Sequence, residues 1–417
     1  MSDLLTVDAA IARILRQINP LPAETVSLAD SLGRVLAEDV RSEVDLPPFA
    51  NSSMDGYAVR AADITGASAQ TPVVLRVVMD IPAGSMPARA VGQGEAARIM
   101  TGAPLPAGAD AIVPVEQTDT PFSQRGDAPL PDQVAILKAS RAGDYVRLVG
   151  EDIRAGQVVL AAGTTLRPAD IGVLAALGHA QVRVTRQPRA AILSTGDELV
   201  AVEEPLAPGK IRDVNGYTLA ALVAQYGGIA IRIPVARDTL DDIRRRFNEA
   251  LDSQPDVILS SAGVSVGSFD LVRTVLAALG EVNFWRVNLR PGKPLAFGHL
   301  RGVPFFGLPG NPVSAMVTFD VFVRPVLLKL SNRLDIMLTA RALTGEALSS
   351  DGRRSYVRVT LKEIDGNLVA TTTGTQSSGA LLSMVLADGL LIIPEGMTHV
   401  PAGTPLDVRL LRARFGE

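Results

Sequence analysis

The 417-residue chain contains no cysteine, which excludes disulfides, thiolate nucleophiles and thiolate metal sites. Histidine is nearly as scarce. His179, His299 and His399 lie far apart and without ligand spacing, so neither a histidine-based zinc site nor a proton relay is expected. Lys+Arg number 40 against 44 Asp+Glu, a net charge of −4, and there is no basic block or aromatic-studded stripe. Nucleic acid is therefore not an expected partner. Hydrophobic residues make up 47% of the chain, yet no run of eighteen apolar residues without charge occurs, so no membrane span is expected. The start, MSDLLTVDAAIARIL, lacks a basic segment followed by a continuous apolar one; no export signal is read there, and the cytoplasm is the expected location. Leu4, Val7, Ile11, Ile14, Leu15 and Ile18 instead share one stripe of an amphipathic helix. The catalytic repertoire that remains is carboxylates, Lys or Arg, hydroxyls and backbone.

The stretch Asp256–Asp270, DVILSSAGVSVGSFD, organises what is present. Val257, Ile258 and Leu259 are continuous rather than alternating, as in a strand buried on both faces. Gly263 and Gly267 let backbone N–H groups turn toward a ligand, and Ser260, Ser261, Ser265 and Ser268 offer hydroxyls, a loop suited to phosphate or another oxyanion. Val272, Val275, Leu276 and Leu279 then recur at helical spacing. When such a loop stands alone, a plain connection in an α/β domain is the better reading, by roughly two to one.

It does not stand alone. At this length the chain exceeds a single hydrophobic core. From about Thr71 to Leu137 short β-type runs are split by Pro and Gly, as in a small inserted all-β domain. Strands Ala190–Leu193, Ile229–Ile233, Val257–Leu259 and Val282–Val287 then alternate with helices over about 215–226, 240–251 and 269–279. That alternation requires crossovers and a mostly parallel sheet. From about Arg341 the pattern becomes two-residue alternation, with Tyr356, Arg358 and Thr360 on one face of a strand and Val357, Val359 and Leu361 on the other, indicating a small β-barrel or sandwich.

Ligands of such sheets bind beyond the carboxyl ends of the strands. The loops there are Ser194-Thr195-Gly196-Asp197-Glu198, Arg237-Asp238, Ser260–Asp270, Asn288–Lys293 and the segment containing Pro309 and Ser314. Glu198, Asp238 and Asp270 are hard oxygen donors suited to Mg²⁺ with substrate phosphate, and Arg290 and Lys293 supply charge for a second anion. Asp238 and Asp270 also flank helix starts, where acidic residues favour the dipole without any ligand.

The stretches PPFANSSMDGYAV (47–59), RIMTGAPLPAGADAIVP (98–114), GED (150–152), ILSTGDEL (192–199), SSAGVSVGSFD (260–270), RPGKPLAFG (290–298) and GLPGNPVSA (307–315) resemble, in order and over nearly the whole chain, the molybdopterin molybdenumtransferase family, which includes the E domain of gephyrin. The resemblance implies an elongated homodimer with sites between subunits. It implies four domains: 1–50 with 141–178 (linker and dimerisation), 51–140 (inserted β), 179–330 (a three-layer α/β molybdopterin-binding domain) and 331–417 (β-barrel). It also implies the reaction: adenylylated molybdopterin plus molybdate gives molybdenum cofactor and AMP, with Mg²⁺. Glu198, Asp238 and Asp270 would then hold the metal. Ser194, Thr195, Gly196 and Asp197, the loop with Gly263, Ser265 and Gly267, and Pro309 would cradle pterin and nucleotide. Asp55 and Thr101 would come from the other subunit and join catalysis with Lys293. Arg290, Pro291, Gly292, Lys293, Ser314, Arg353 and Ser378 would bind molybdate.

Two departures bear on specificity. Ala262 stands where the family commonly has a second glycine, placing a Cβ near the loop. Arg290 stands where lysine is frequent, offering planar, bidentate contacts. A paralogue that inserts tungsten is the alternative enzyme, and a non-catalytic scaffold is the alternative from another class. No extra domain for substrate adenylylation is present, so a separate molybdopterin adenylyltransferase would supply substrate, and molybdoenzymes or carriers would accept product.

Overall fold

In a computed structural model of the chain, residues 4–120, 129–262 and 269–412 are described. They divide into two compact units. The first comprises the residues up to Ala37, Gly163–Ile171 and those from Gln181 onward; the second comprises Glu38–Ala162 and Gly172–Ala180.

At the centre of the first unit is a six-stranded sheet in the order Ile229–Arg232, Arg189–Ser194, Val257–Ser261, Val303–Leu308, Pro294–Leu300, Gly280–Arg286. Its first four strands are parallel, and its last two pairings are antiparallel, so Pro294–Leu300 alone runs against the other five. Alternate residues of the strands serve opposite faces. Ala190, Ile192, Val257, Leu259, Phe306 and Leu308 pack with the helices Val7–Leu15, Val214–Gln225, Pro312–Thr318 and Arg324–Leu330. Ala191, Leu193, Ile258 and Phe305 pack with Leu240–Asp252 and Phe269–Leu279. This is the expected three-layer arrangement, and full burial of each large apolar side chain contributes about 1.5–3 kcal/mol. The strand Pro294–Leu300 lies within a segment that reads as a loop motif followed by a short apolar run. It forms because the adjoining residues Arg301 and Gly302, at φ of 48° and 83°, make a two-residue hairpin turn that pairs Leu300 with Val303.

Chain order places Arg189–Ser194 between the strand that follows it and Val257–Ser261, so the winding direction reverses between the last two. Loops leaving their carboxyl ends diverge there and leave a crevice.

Five further strands, Thr339–Thr344, Arg354–Ile364, Asn367–Thr372, Gly389–Ile393 and Pro405–Leu410, close into a barrel. Closure follows from Arg354–Ile364 pairing with both Asn367–Thr372 and Gly389–Ile393. Val359, Leu361, Leu391 and Val408 fill its interior. The short strand Leu289–Arg290 adds in parallel to Arg354 and Ser355, which brings the loop after the sheet's edge strand onto the barrel.

The second unit contains a five-stranded sheet in the order Ala111–Pro114, Gly56–Val59, Glu95–Ile99, Val73–Ile81, Gln133–Ile136. Tyr57 and Val59 face one apolar cluster and Ala58 another. Among the described residues no helix is long and apolar enough to cross a membrane.

Candidate active site

At the crevice the structure forms a cavity of about 830 Å³, whose walls include Thr195, Glu198, Ser261, Ala262, Pro309 and Gly310. The carboxyl ends of two parallel strands put Ser194 level with Ser261, and Thr195 N–H donates to the Ser261 carbonyl at 3.3 Å. Gly196 has φ +146°, and a Cβ there would lie 2.5 Å from a Glu198 carboxylate oxygen. Only glycine leaves Glu198 that position.

Two floor residues have no counterpart among the residues singled out from sequence. Asp213 caps the helix Val214–Gln225, accepting from Gly216 N–H at 2.9 Å, and the same oxygen accepts from Ser194 Oγ at 2.9 Å. Asn215 Nδ2 donates to Ser261 Oγ at 2.6 Å and to the Gly310 carbonyl at 2.7 Å, joining three loops. An Asp immediately before a helical pattern was the available signal.

The carboxylates expected to hold metal are placed differently from one another. Glu198 lines the cavity; Asp238 and Asp270 do not. Asp197 and Asp238 exchange bonds: Asp238 N–H donates to Asp197 Oδ1 at 3.2 Å, and Asp197 N–H to Asp238 Oδ2 at 3.4 Å. Asp238 Oδ1 is buried without a hydrogen-bond partner among the described residues. Asp270 is exposed in the first turn of Phe269–Leu279. Among the described residues no three acidic or histidine side chains form a group that could hold a metal. Gly263, Ser265 and Gly267 lie outside the described residues, and the segment they belong to leads directly into Asp270. Ala262, at its edge, has φ +72°, a backbone region that favours glycine.

A second cavity, of about 530 Å³, adjoins the first, and Gly292 and Ser314 line both. Arg290, Pro291, Lys293, Arg353 and Ser378, named from sequence, all line it. So does Arg358, which was not singled out. Strand alternation put Arg358 on the face opposite Val359 and Leu361 and does not say what covers that face; in the fold it is covered by the 375–378 loop and the cavity. Arg358 is 1% exposed and donates to Ser377 O at 3.0 Å and Ser383 Oγ at 3.1 Å, all neutral acceptors. Burial, with Arg290 nearby, pulls its pKa below the ordinary arginine value. Four cationic side chains and no carboxylate line this cavity among the described residues. Such a wall suits a multivalent oxyanion.

Asp55 and Thr101 belong to the second unit. The pairing of Gly56–Val59 with Glu95–Ile99 brings them together, and Asp55 Oδ1 accepts from Thr101 N–H at 2.8 Å and from Thr101 Oγ1 at 2.7 Å.

Three family profiles match the chain: the MoeA N-terminal region (domain I and II) over residues 5–178, a probable molybdopterin binding domain over 191–329, and the MoeA C-terminal region (domain IV) over 341–411. A molybdopterin molybdenumtransferase of Nostoc sp. is 39% identical over 388 residues, covering 91% of this chain and 87% of its own. Molybdopterin molybdenumtransferase 2 of Mycobacterium tuberculosis is 39% identical over 409 residues, covering 95% and 96%. A crystal structure of a molybdopterin biosynthesis MoeA protein from Pyrococcus horikosii superposes with a TM-score of 0.81 at 33% identity, covering 99% of this chain and 100% of that one. With profiles in sequence order across nearly its whole length and relatives this similar end to end, the chain belongs to the MoeA family of molybdopterin molybdenumtransferases, enzymes of molybdenum-cofactor biosynthesis.

Proposed function

We propose that the chain inserts molybdenum from molybdate into adenylylated molybdopterin and releases AMP. The observation that carries this reading is the pair of adjoining cavities. One has hydroxyls, amides and carboxylates at a strand switch point, and the other has four cationic groups and, among the described residues, no carboxylate; they meet at Gly292 and Ser314. A pterin nucleotide and a tetrahedral dianion are the substrates those two chemistries accept side by side.

Within this reading Asn215, Thr195 and Ser261 orient the nucleotide-pterin, and Arg290, Lys293, Arg353 and Arg358 hold the oxyanion, with Ser314 and Ser378 as neutral donors. Their positive charge offsets the negative charge that accumulates as two anions are brought together. No protein nucleophile is required. Asp197 and Asp238 offer carboxylate oxygens, and Asp238 Oδ1, without a hydrogen-bond partner among the described residues, fits a hard cation. Glu198, Asp238 and Asp270 are the residues that would hold Mg²⁺, together with substrate phosphate. When bound, the ion would neutralise charge on the phosphoanhydride. A homodimer in which Asp55 and Thr101 reach the partner's cavity completes the proposal.

The test is AMP release from purified adenylylated molybdopterin with Mg²⁺, comparing molybdate, tungstate and no oxyanion. Release stimulated by molybdate, and reduced more than about tenfold in Asp270→Ala, is expected. Stimulation by tungstate alone would make the chain a tungsten-inserting enzyme, and no release from folded protein would leave a scaffold. Full activity in both Asp270→Ala and EDTA would remove the metal from the reading.

A further inference from the structure

The four cations of the second cavity are not equivalent. Arg353 donates from Nε at 3.0 Å and from Nη2 at 2.5 Å to a single oxygen, Asp351 Oδ2. Arg290 Nη1 lies 3.8 Å from that same oxygen. The remaining guanidinium nitrogen of Arg353 donates to the Leu289 carbonyl at 3.1 Å, which keeps its side chain on the wall. Asp351 does not line the cavity; it stands behind the two arginines that do. Arg358 meets only neutral oxygens, and Lys293 has no ion pair among the described residues. The wall is thus half neutralised and half open.

An exposed ion pair on an ordinary surface contributes little and carries no meaning for function. This one differs in what its cation faces. Arg353 is 24% exposed in its side chain and shares the cavity wall with the buried Arg358 and with Lys293, an arrangement of like charges that an anion would stabilise. Beside Arg353 the Asp351 carboxyl is held below the usual carboxylate range, so at neutral pH it is charged.

We propose that Asp351 is a built-in counter-anion of the oxyanion cavity, occupying Arg353 and Arg290 and lowering the affinity of the site for the oxyanion that must take those arginines over. This rests on the reading of the cavity as an oxyanion site. Asp351 acts through the arginines and is a positioning residue, not a catalytic one. Removing its charge while keeping its shape frees two cations for the ligand.

The experiment measures equilibrium binding of molybdate and of sulfate to the full-length wild type, Asp351→Asn and Asp351→Glu, with circular dichroism to verify folding and KM for molybdate measured alongside. Asp351→Asn still offers an oxygen to Arg353 but no charge. It is expected to bind both oxyanions about tenfold more tightly and to lower KM for molybdate without raising kcat. Asp351→Glu keeps the wild-type affinity. If the wild type binds molybdate and folded Asp351→Asn binds it equally or more weakly, Asp351 merely shapes the turn or orients Arg353, and the counter-anion role is overturned. If no variant binds either oxyanion, the oxyanion reading of the cavity falls together with it.

Discussion

Gly292 carries more of the site than its size suggests. It has φ +110°, lies on the boundary of both cavities, and a Cβ there would come within 2.4 Å of Thr318 Oγ1 and 3.3 Å of Leu289. Thr318 is fully buried and β-branched, so it has little freedom to move aside. Gly292→Ala is therefore expected to cost about 1–3 kcal/mol in urea unfolding and to weaken molybdate binding through the same displacement. Unchanged stability would mean that the loop relaxes easily. Glycine and proline in RPGKP mark this turn in the sequence, but which group crowds it does not follow from local pattern. Arg358 shows the same limit: its alternation was readable, whereas the loop that covers it was not.

At the scale of elements, the crevice is held by the start of the helix Val214–Gln225. Asp213 closes the helix N-terminus and fixes Ser194, while Asn215, two residues on, ties Ser261 to Gly310. Asp213→Ala is expected to lose about 1–2 kcal/mol, the cap together with the stranded Ser194 hydroxyl, and Asp213→Asn to recover most of it; urea denaturation midpoints measure both. Equal loss in the two variants would place the effect in charge rather than capping. A second cap, at the start of Leu240–Asp252, departs from the usual capping box in detail. Thr239 Oγ1 does accept from Asp242 N–H at 3.3 Å, but Asp242 reaches back to Arg237 N–H at 2.7 Å instead of to the capping residue. The shorter Asp replaces the usual Glu there and finds a different donor.

At the scale of the whole molecule, the residues assigned to catalysis fall in both compact units, Asp55 and Thr101 in one and Glu198, Asp238, Asp270 and Lys293 in the other. If sites form between subunits of a homodimer, Asp55→Ala and Asp270→Ala are each reduced in activity more than about tenfold alone. Mixed and reassembled in equal amounts, they recover about a quarter of wild-type AMP release, because half the dimers are mixed and each of those has one intact site. Recovery of nothing, with exchange verified by mass spectrometry, would put each site within one chain.

The sequence by itself determined the chemistry available and the local shape of each loop. The absence of cysteine, the glycines at turns, the strand–helix alternation and the motif order all depend on residues close together in the chain, whose backbone preferences act without the rest of the fold. Only the tertiary structure decided which loops meet. The reversal of strand order, the parallel addition of Leu289–Arg290 to the barrel, the burial of Arg358 and the pairing of Asp351 with two cavity arginines arise from contacts between segments distant in sequence. A period of two places a side chain on a face, but it is long-range packing that determines whether the face meets water, a core or a ligand.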